Sequence, residues 1–123
     1  MKTAGSRAVR VRNVTKGTLL GDAVQVAETS AARRAGLLGR SHLEPGGGLW
    51  IVPSEGVHTF GMQFAIDVVF LSKARTVLKI RAALPKRRIA FAFRAHSVLE
   101  LPAGALARSA TATGDQLSFE TCG

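Results

Sequence analysis

The stretch from Val57 to Leu71, V-H-T-F-G-M-Q-F-A-I-D-V-V-F-L, decides how the chain is read. Its second half, Phe64 to Leu71, is dense in β-branched and aromatic residues and suits a strand covered on both faces. Asp67 alone interrupts that run. A carboxylate in such company has to find partners, because burying it unpaired costs several kcal/mol. Upstream, His58 and Thr59 stand between apolar neighbours, and Gly61 permits a bend or a close backbone approach. The stretch reads as a core strand joined to a candidate site. The simplest structural account pairs Asp67 with Arg40 or Arg34 and gives His58 a backbone hydrogen bond.

Working outward, S-K-A-R after Leu71 is a turn, and T-V-L-K-I-R from Thr76 to Arg81 alternates, which predicts a β-hairpin. L-W-I-V, Leu49 to Val52, is a short buried strand. Alternation also predicts strands over Ala8 to Val14 and Ala23 to Glu28, with Gly17 and Gly21-Asp22 as turns around T-L-L. Thr29 or Ser30 caps one short helix through A-A-R-R-A-G-L-L, docked by Ala31, Ala35 and Leu38 and stopped by Gly39. Pro85 to Phe93 is a loop carrying Ile89, Phe91 and Phe93 among cations, readable as an edge strand or an apolar flap. S-V-L-E-L, from Ser97 to Leu101, and Q-L-S-F-E, after Gly114-Asp115, complete the strands. The fold class predicted is mostly β, a single-domain antiparallel β-barrel or sandwich with one short α-helix, over residues 8–123 after a flexible start at 1–7.

A chain of 123 residues suits one such domain. The lone Cys122 excludes an intramolecular disulfide and a thiolate metal cluster, and reads as a tail thiol. The basic N-terminus lacks the apolar core of a signal peptide, and no run reaches the roughly eighteen apolar residues of a membrane span. A soluble, cytoplasmic protein with no membrane partner is expected. Seventeen Lys and Arg against 8 Asp and Glu give a formal charge of +9, which favours anionic partners without choosing among them. The longest basic run, Lys86 to Arg88, reads as a solvated loop ahead of a nucleic-acid patch. The triple glycine Gly46 to Gly48 leads into a strand rather than a helix, against a phosphate loop.

Five blocks in order, T-S-A-A-R-R-A-G-L-L-G-R (Thr29 to Arg40), G-G-L-W-I (Gly47 to Ile51), H-T-F-G-M-Q-F-A-I-D-V-V-F-L (His58 to Leu71), V-L-E-L-P-A-G (Val98 to Gly104) and G-D-Q-L (Gly114 to Leu117), resemble the DUF192 family of small bacterial and archaeal proteins. The resemblance implies a compact, mostly β fold with a short helix, and it implies no activity. The chain departs from the family pattern at Leu38, where methionine is common, and at Ala65, where proline is common.

The candidate ligand-binding residues are Arg34, Arg40, Trp50, His58, Thr59, Asp67 and Glu100. Arg34, Arg40, His58 and Trp50 converging at one end of a barrel would make a cationic, aromatic-walled pocket for a small anion or an acidic peptide terminus. An enzyme would instead use Asp67 to orient His58 as a general base, with Thr59 or Ser97 as nucleophile, but no nucleophile-elbow element supports either. His58, His96, Asp67 and Glu100 are metal-ligand types without metal-ligand spacing, so neither a metal nor a cofactor is expected. The reading favoured is a non-enzymatic binding or accessory module, with a protein partner contacted through Ile89, Phe91 and Phe93. A small hydrolase-like enzyme and weak nucleic-acid binding are the alternatives.

Overall fold

The computed structural model describes residues 7–121. Of the flexible start expected at residues 1–7, residues 1–6 lie outside the described residues, as does Cys122, expected to be a tail thiol. Among the described residues, nine strands form in chain order: β1 (Ala8–Asn13), β2 (Thr18–Ala27), β3 (Gly47–Ile51), β4 (Gly56–His58), β5 (Ile66–Leu71), β6 (Val77–Leu84), β7 (Ile89–Phe91), β8 (Ser97–Pro102) and β9 (Leu117–Thr121). Two short helices, α1 (Ser30–Ala35) and α2 (Ala105–Ser109), interrupt them. Seven strands make one sheet in the order β6-β5-β8-β3-β2-β1-β9, while β4 and β7 form a separate antiparallel ribbon.

The sheet is mixed, since β2 and β3 run parallel, Ala23 against Gly47 through Ala27 against Ile51. A parallel pair needs a crossover, and residues 28–46, with α1, supply it. The sheet curls into a half-barrel, its two edges meeting where Thr76 bridges Gln116 and the Val77 amide donates to the Asp115 carbonyl at 2.8 Å. Val11, Val24, Trp50, Val69, Leu99 and Leu101 fill the inner face, closed by Leu106 of α2. Ile51, Val68, Phe70 and Val98 face outward and are covered by Leu37, Met62 and Ala90. All six residues of β5 are buried, Asp67 included, as a strand covered on both faces predicts. Its hairpin with β6 forms as expected, turned by Ser72 and Thr76.

Three local expectations are corrected. Gly21 is not a turn but lies inside β2, where a Cβ would come within 2.8 Å of the Gly46 carbonyl oxygen, so the strand runs on without a side chain there. The helix cap is Thr29, whose Oγ1 accepts from the Ala32 amide at 3.1 Å, but the helix ends at Gly36 (φ 50°) rather than Gly39. Its packing contacts are then Ala32 and Leu37, leaving Ala31, Ala35 and Leu38 exposed.

Candidate functional site

Glu100 sits in the middle of β8, between Leu49 of β3 and Val68 of β5 in cross-strand register. Strand alternation sends Leu99 and Leu101 to the inner core and Glu100 to the outer face with Val98. A carboxyl group held among aliphatic side chains loses its water, and burial raises the Glu100 pKa from 4.5 to about 7, against the opposing charge of Arg40. Its Oε1 has no hydrogen-bond partner among the described residues. Glu100 also lines a cleft of about 160 Å³. One wall is α1 and its C-terminal turn, with Arg33, Arg34 and Leu37; the other is the segment through Ser54, Val57 and His58, with Met62 alongside. The arrangement is an apolar-floored cleft with one buried carboxyl and two guanidinium-bearing residues on its wall.

Of the residues singled out by sequence, the structure brings Arg34, His58 and Glu100 to this cleft. Arg40 lies beyond it, its Nη2 donating to Gln25 Oε1 at 2.8 Å, close enough to act on Glu100 through its charge. Trp50 is on the opposite face of the sheet, stacked on Phe119 at 4.0 Å between centroids and under the Arg75 guanidinium, so the aromatic wall expected of it is absent from the cleft. Thr59 is buried as a clamp, its hydroxyl donating to the Pro85 carbonyl at 2.6 Å and accepting from the Arg88 amide at 2.8 Å.

Asp67 does not pair with Arg34 or Arg40. It faces the inner side of the sheet, where Oδ1 accepts from the Ala83 amide at 2.7 Å and Oδ2 from the Gly104 and Leu106 amides at 3.0 and 2.9 Å. Three backbone donors satisfy the carboxylate in place of an arginine, and they tie β6 and the start of α2 to β5. The His58–Asp67 dyad is therefore not assembled: His58 is exposed on β4, and Asp67 is buried beneath the sheet. Ser97 is buried, its hydroxyl without a partner among the described residues, and His96 is exposed. Among the described residues, no three His, Cys, Asp or Glu side chains converge to hold a metal ion. Sequence reasoning missed Arg33 as a cleft residue. Its position beside Arg34 in the last turn of so short a helix was the available signal.

A curled mixed half-barrel with a two-stranded ribbon and a helix laid over its outer face defines the structural class. The chain belongs to the DUF192 family, described as an uncharacterized ACR family, whose model matches residues 11–119. A UPF0127 protein from Thermococcus sibiricus is 31% identical over 116 residues, covering 88% of this chain and 73% of that protein. The crystal structure of a candidate transcription regulator from Sinorhizobium meliloti superposes with a TM-score of 0.81 at 21% identity, over 97% of both chains. A protein of unknown function from Novosphingobium aromaticivorans gives 0.77 at 23% identity, over 90% of this chain and 83% of that one. These two similarities show the fold, and no specific function is established for the family.

Proposed function

We propose that the protein is a non-enzymatic binding module whose cleft takes a small anionic molecule that also carries a hydrogen-bond donor. The observation that carries this reading is Glu100, a buried carboxyl with an unpartnered oxygen, lining the same cleft as Arg33 and Arg34. A donor on the ligand satisfies Glu100, and an anionic group on the ligand meets the arginines. Arg34 is exposed, whereas Arg33 already donates to the Glu28 carbonyl, so Arg34 is the cation assigned to the ligand. At about 30 Å³ per water, a space of 160 Å³ corresponds to roughly five waters, which suits a compact amino acid or hydroxy acid.

Thermal-shift measurements on wild type and Arg34→Ala against amino acids, hydroxy acids and short acidic peptides test the proposal. A bound ligand at a hundred times its Kd stabilises the folded state by about 2.7 kcal/mol and raises Tm. Arg34→Ala, an exposed position, is expected to keep the fold and lose the shift. The absence of a shift with every compound refutes the reading; a shift with peptides alone makes an acidic peptide terminus the ligand.

A second reading rests on the same carboxyl. A group with a pKa of about 7 beside an exposed imidazole in one cleft has the makings of general acid–base catalysis. Against it, the Ser54 hydroxyl in the cleft is already engaged, donating to the Gly56 carbonyl at 2.9 Å. Ester hydrolysis by wild type that disappears in both Glu100→Gln and His58→Ala would move the assignment to an enzyme. Cytoplasmic residence also remains part of the proposal, tested by cell fractionation.

A further inference from the structure

The β4–β7 ribbon displays apolar side chains that nothing among the described residues covers. Ile89 is 69% exposed, Phe91 65% and Phe93 78%, with Phe60 at 49% beyond the end of β4. Their inward neighbours Val57 and Ala90 pack on the outer core, so the ribbon is anchored on one side and bare on the other. Cations ring the bare side. The Arg94 guanidinium lies 5.4 Å from the Phe93 ring centre, and the Lys79 ammonium 5.9 Å from that of Phe91. Lys86, Arg87 and Arg88 occupy the turn that leads into Ile89 and are all exposed. Glu55, whose carbonyl accepts from the Ala92 amide, brings a single carboxylate-bearing residue to the same ribbon.

We propose that this ribbon docks on an anionic phospholipid surface, with Phe91, Phe93 and Ile89 entering the headgroup region while the surrounding lysines and arginines contact phosphates. A protein partner would have to bring recesses matched in shape to these rings. This surface offers protrusions, and neither the 160 Å³ cleft nor the open hollow near Leu19 and Arg108 is lined by Ile89, Phe91 or Phe93. A fluid interface receives protruding rings without a preformed recess, and a basic collar is drawn to it by charge. The formal charge of +9 acts against the alternative of a second copy of the chain on the same face. No helix of the described residues is long and apolar enough to cross a membrane. The proposed contact is peripheral, and it departs from the expectation of no membrane partner, which rested on the absence of a spanning run.

Vesicle co-sedimentation of the full chain tests the proposal, with phosphatidylcholine vesicles containing about 30% phosphatidylglycerol against phosphatidylcholine alone, at about 0.1 and 0.5 M salt. Wild type is expected to pellet with the anionic vesicles at least tenfold more strongly, and to be released by the higher salt. Phe91→Ser/Phe93→Ser is expected to lose about tenfold or more in partitioning, with an unchanged melting curve because both side chains are already in water. Lys86→Gln/Arg87→Gln/Arg88→Gln is expected to lose a similar factor on anionic vesicles only. Equal binding of the serine variant and wild type overturns the insertion of the rings, leaving bare electrostatic adsorption. Wild type remaining in the supernatant with both vesicles overturns the proposal outright and turns this face toward an acidic protein partner.

Discussion

Glu100→Gln is expected to stabilise the protein above neutral pH and to leave it nearly unchanged in acid. Burial lifts the folded-state pKa to about 7, while the unfolded chain titrates near 4.5. A carboxyl raised in this way contributes stability that is fully present below about 4.5 and lost as pH rises through about 7, because the folded state holds its proton longer. The gap between the two values, at about 1.4 kcal/mol per pH unit, amounts to roughly 3 kcal/mol. With an unfolding entropy of about 2.1 cal/mol/K per residue over 123 residues, that is on the order of 10 °C in Tm. Glutamine has nearly the same shape and no charge to desolvate, so it carries none of this slope. Scanning calorimetry of both proteins from about pH 4 to about pH 8.5 should show curves that coincide in acid and separate with the variant on top. A separation that is constant across the range, or a variant less stable than wild type at high pH, would refute the assignment of Glu100 as an unpaired, desolvated carboxyl.

Asp67→Ala removes the acceptor from the Ala83, Gly104 and Leu106 amides, and at about 1–3 kcal/mol per abandoned donor the loss should reach about 3–5 kcal/mol by urea denaturation. A loss below about 1 kcal/mol would mean that water replaces the carboxylate freely. Gly48→Ala puts a Cβ 2.6 Å from the Glu100 carbonyl oxygen, and prying β3 from β8 should cost about 1–3 kcal/mol at every pH, unlike the titrating effect of Glu100→Gln. Asp115 is held at about 2 by hydrogen bonds first from Asn13, then from Lys16 and the Ala112 amide. Its stabilisation is present above the usual carboxylate pKa near 4 and lost as pH falls through about 2, so Asp115→Asn should melt lower at neutral pH and converge with wild type in acid; a gap that persists at about pH 2 contradicts this.

The strands were legible because their periodicity is local. Alternation around Val11, the buried run from Ile66 to Leu71 and the hairpin into Val77 follow from the side-chain pattern alone. What escaped depends on contacts between distant segments. Nothing near Ala105 announces α2, because its first turn is capped from across the fold by Asp67 rather than by a residue of its own. The parallel pairing of β2 with β3 is equally silent, since both strands look the same whichever way a neighbour runs. Glu100 and Asp67 are both candidates by sequence, yet they part on a matter of parity: Glu100 of β8 faces the outer side with Val98 and reaches the cleft, whereas Asp67 of β5 points inward. The ion pair assumed for Asp67 was chemically reasonable, and the backbone supplied the donors instead.

The place of β8 in the sheet order bears on how the chain is assembled during synthesis. β1, β2 and β3 can associate early, and β5 with β6 makes a hairpin of its own, but these two halves share no strand-to-strand pairing until β8 enters between β3 and β5. Contacts so far apart in sequence form late and slowly, and until then the edges of both halves stand open to other chains. The strand that joins the halves is also the one that carries Glu100. A nascent chain that has not yet delivered residue 100 therefore has neither a continuous sheet nor a complete cleft, and binding at the proposed site would report on completed assembly.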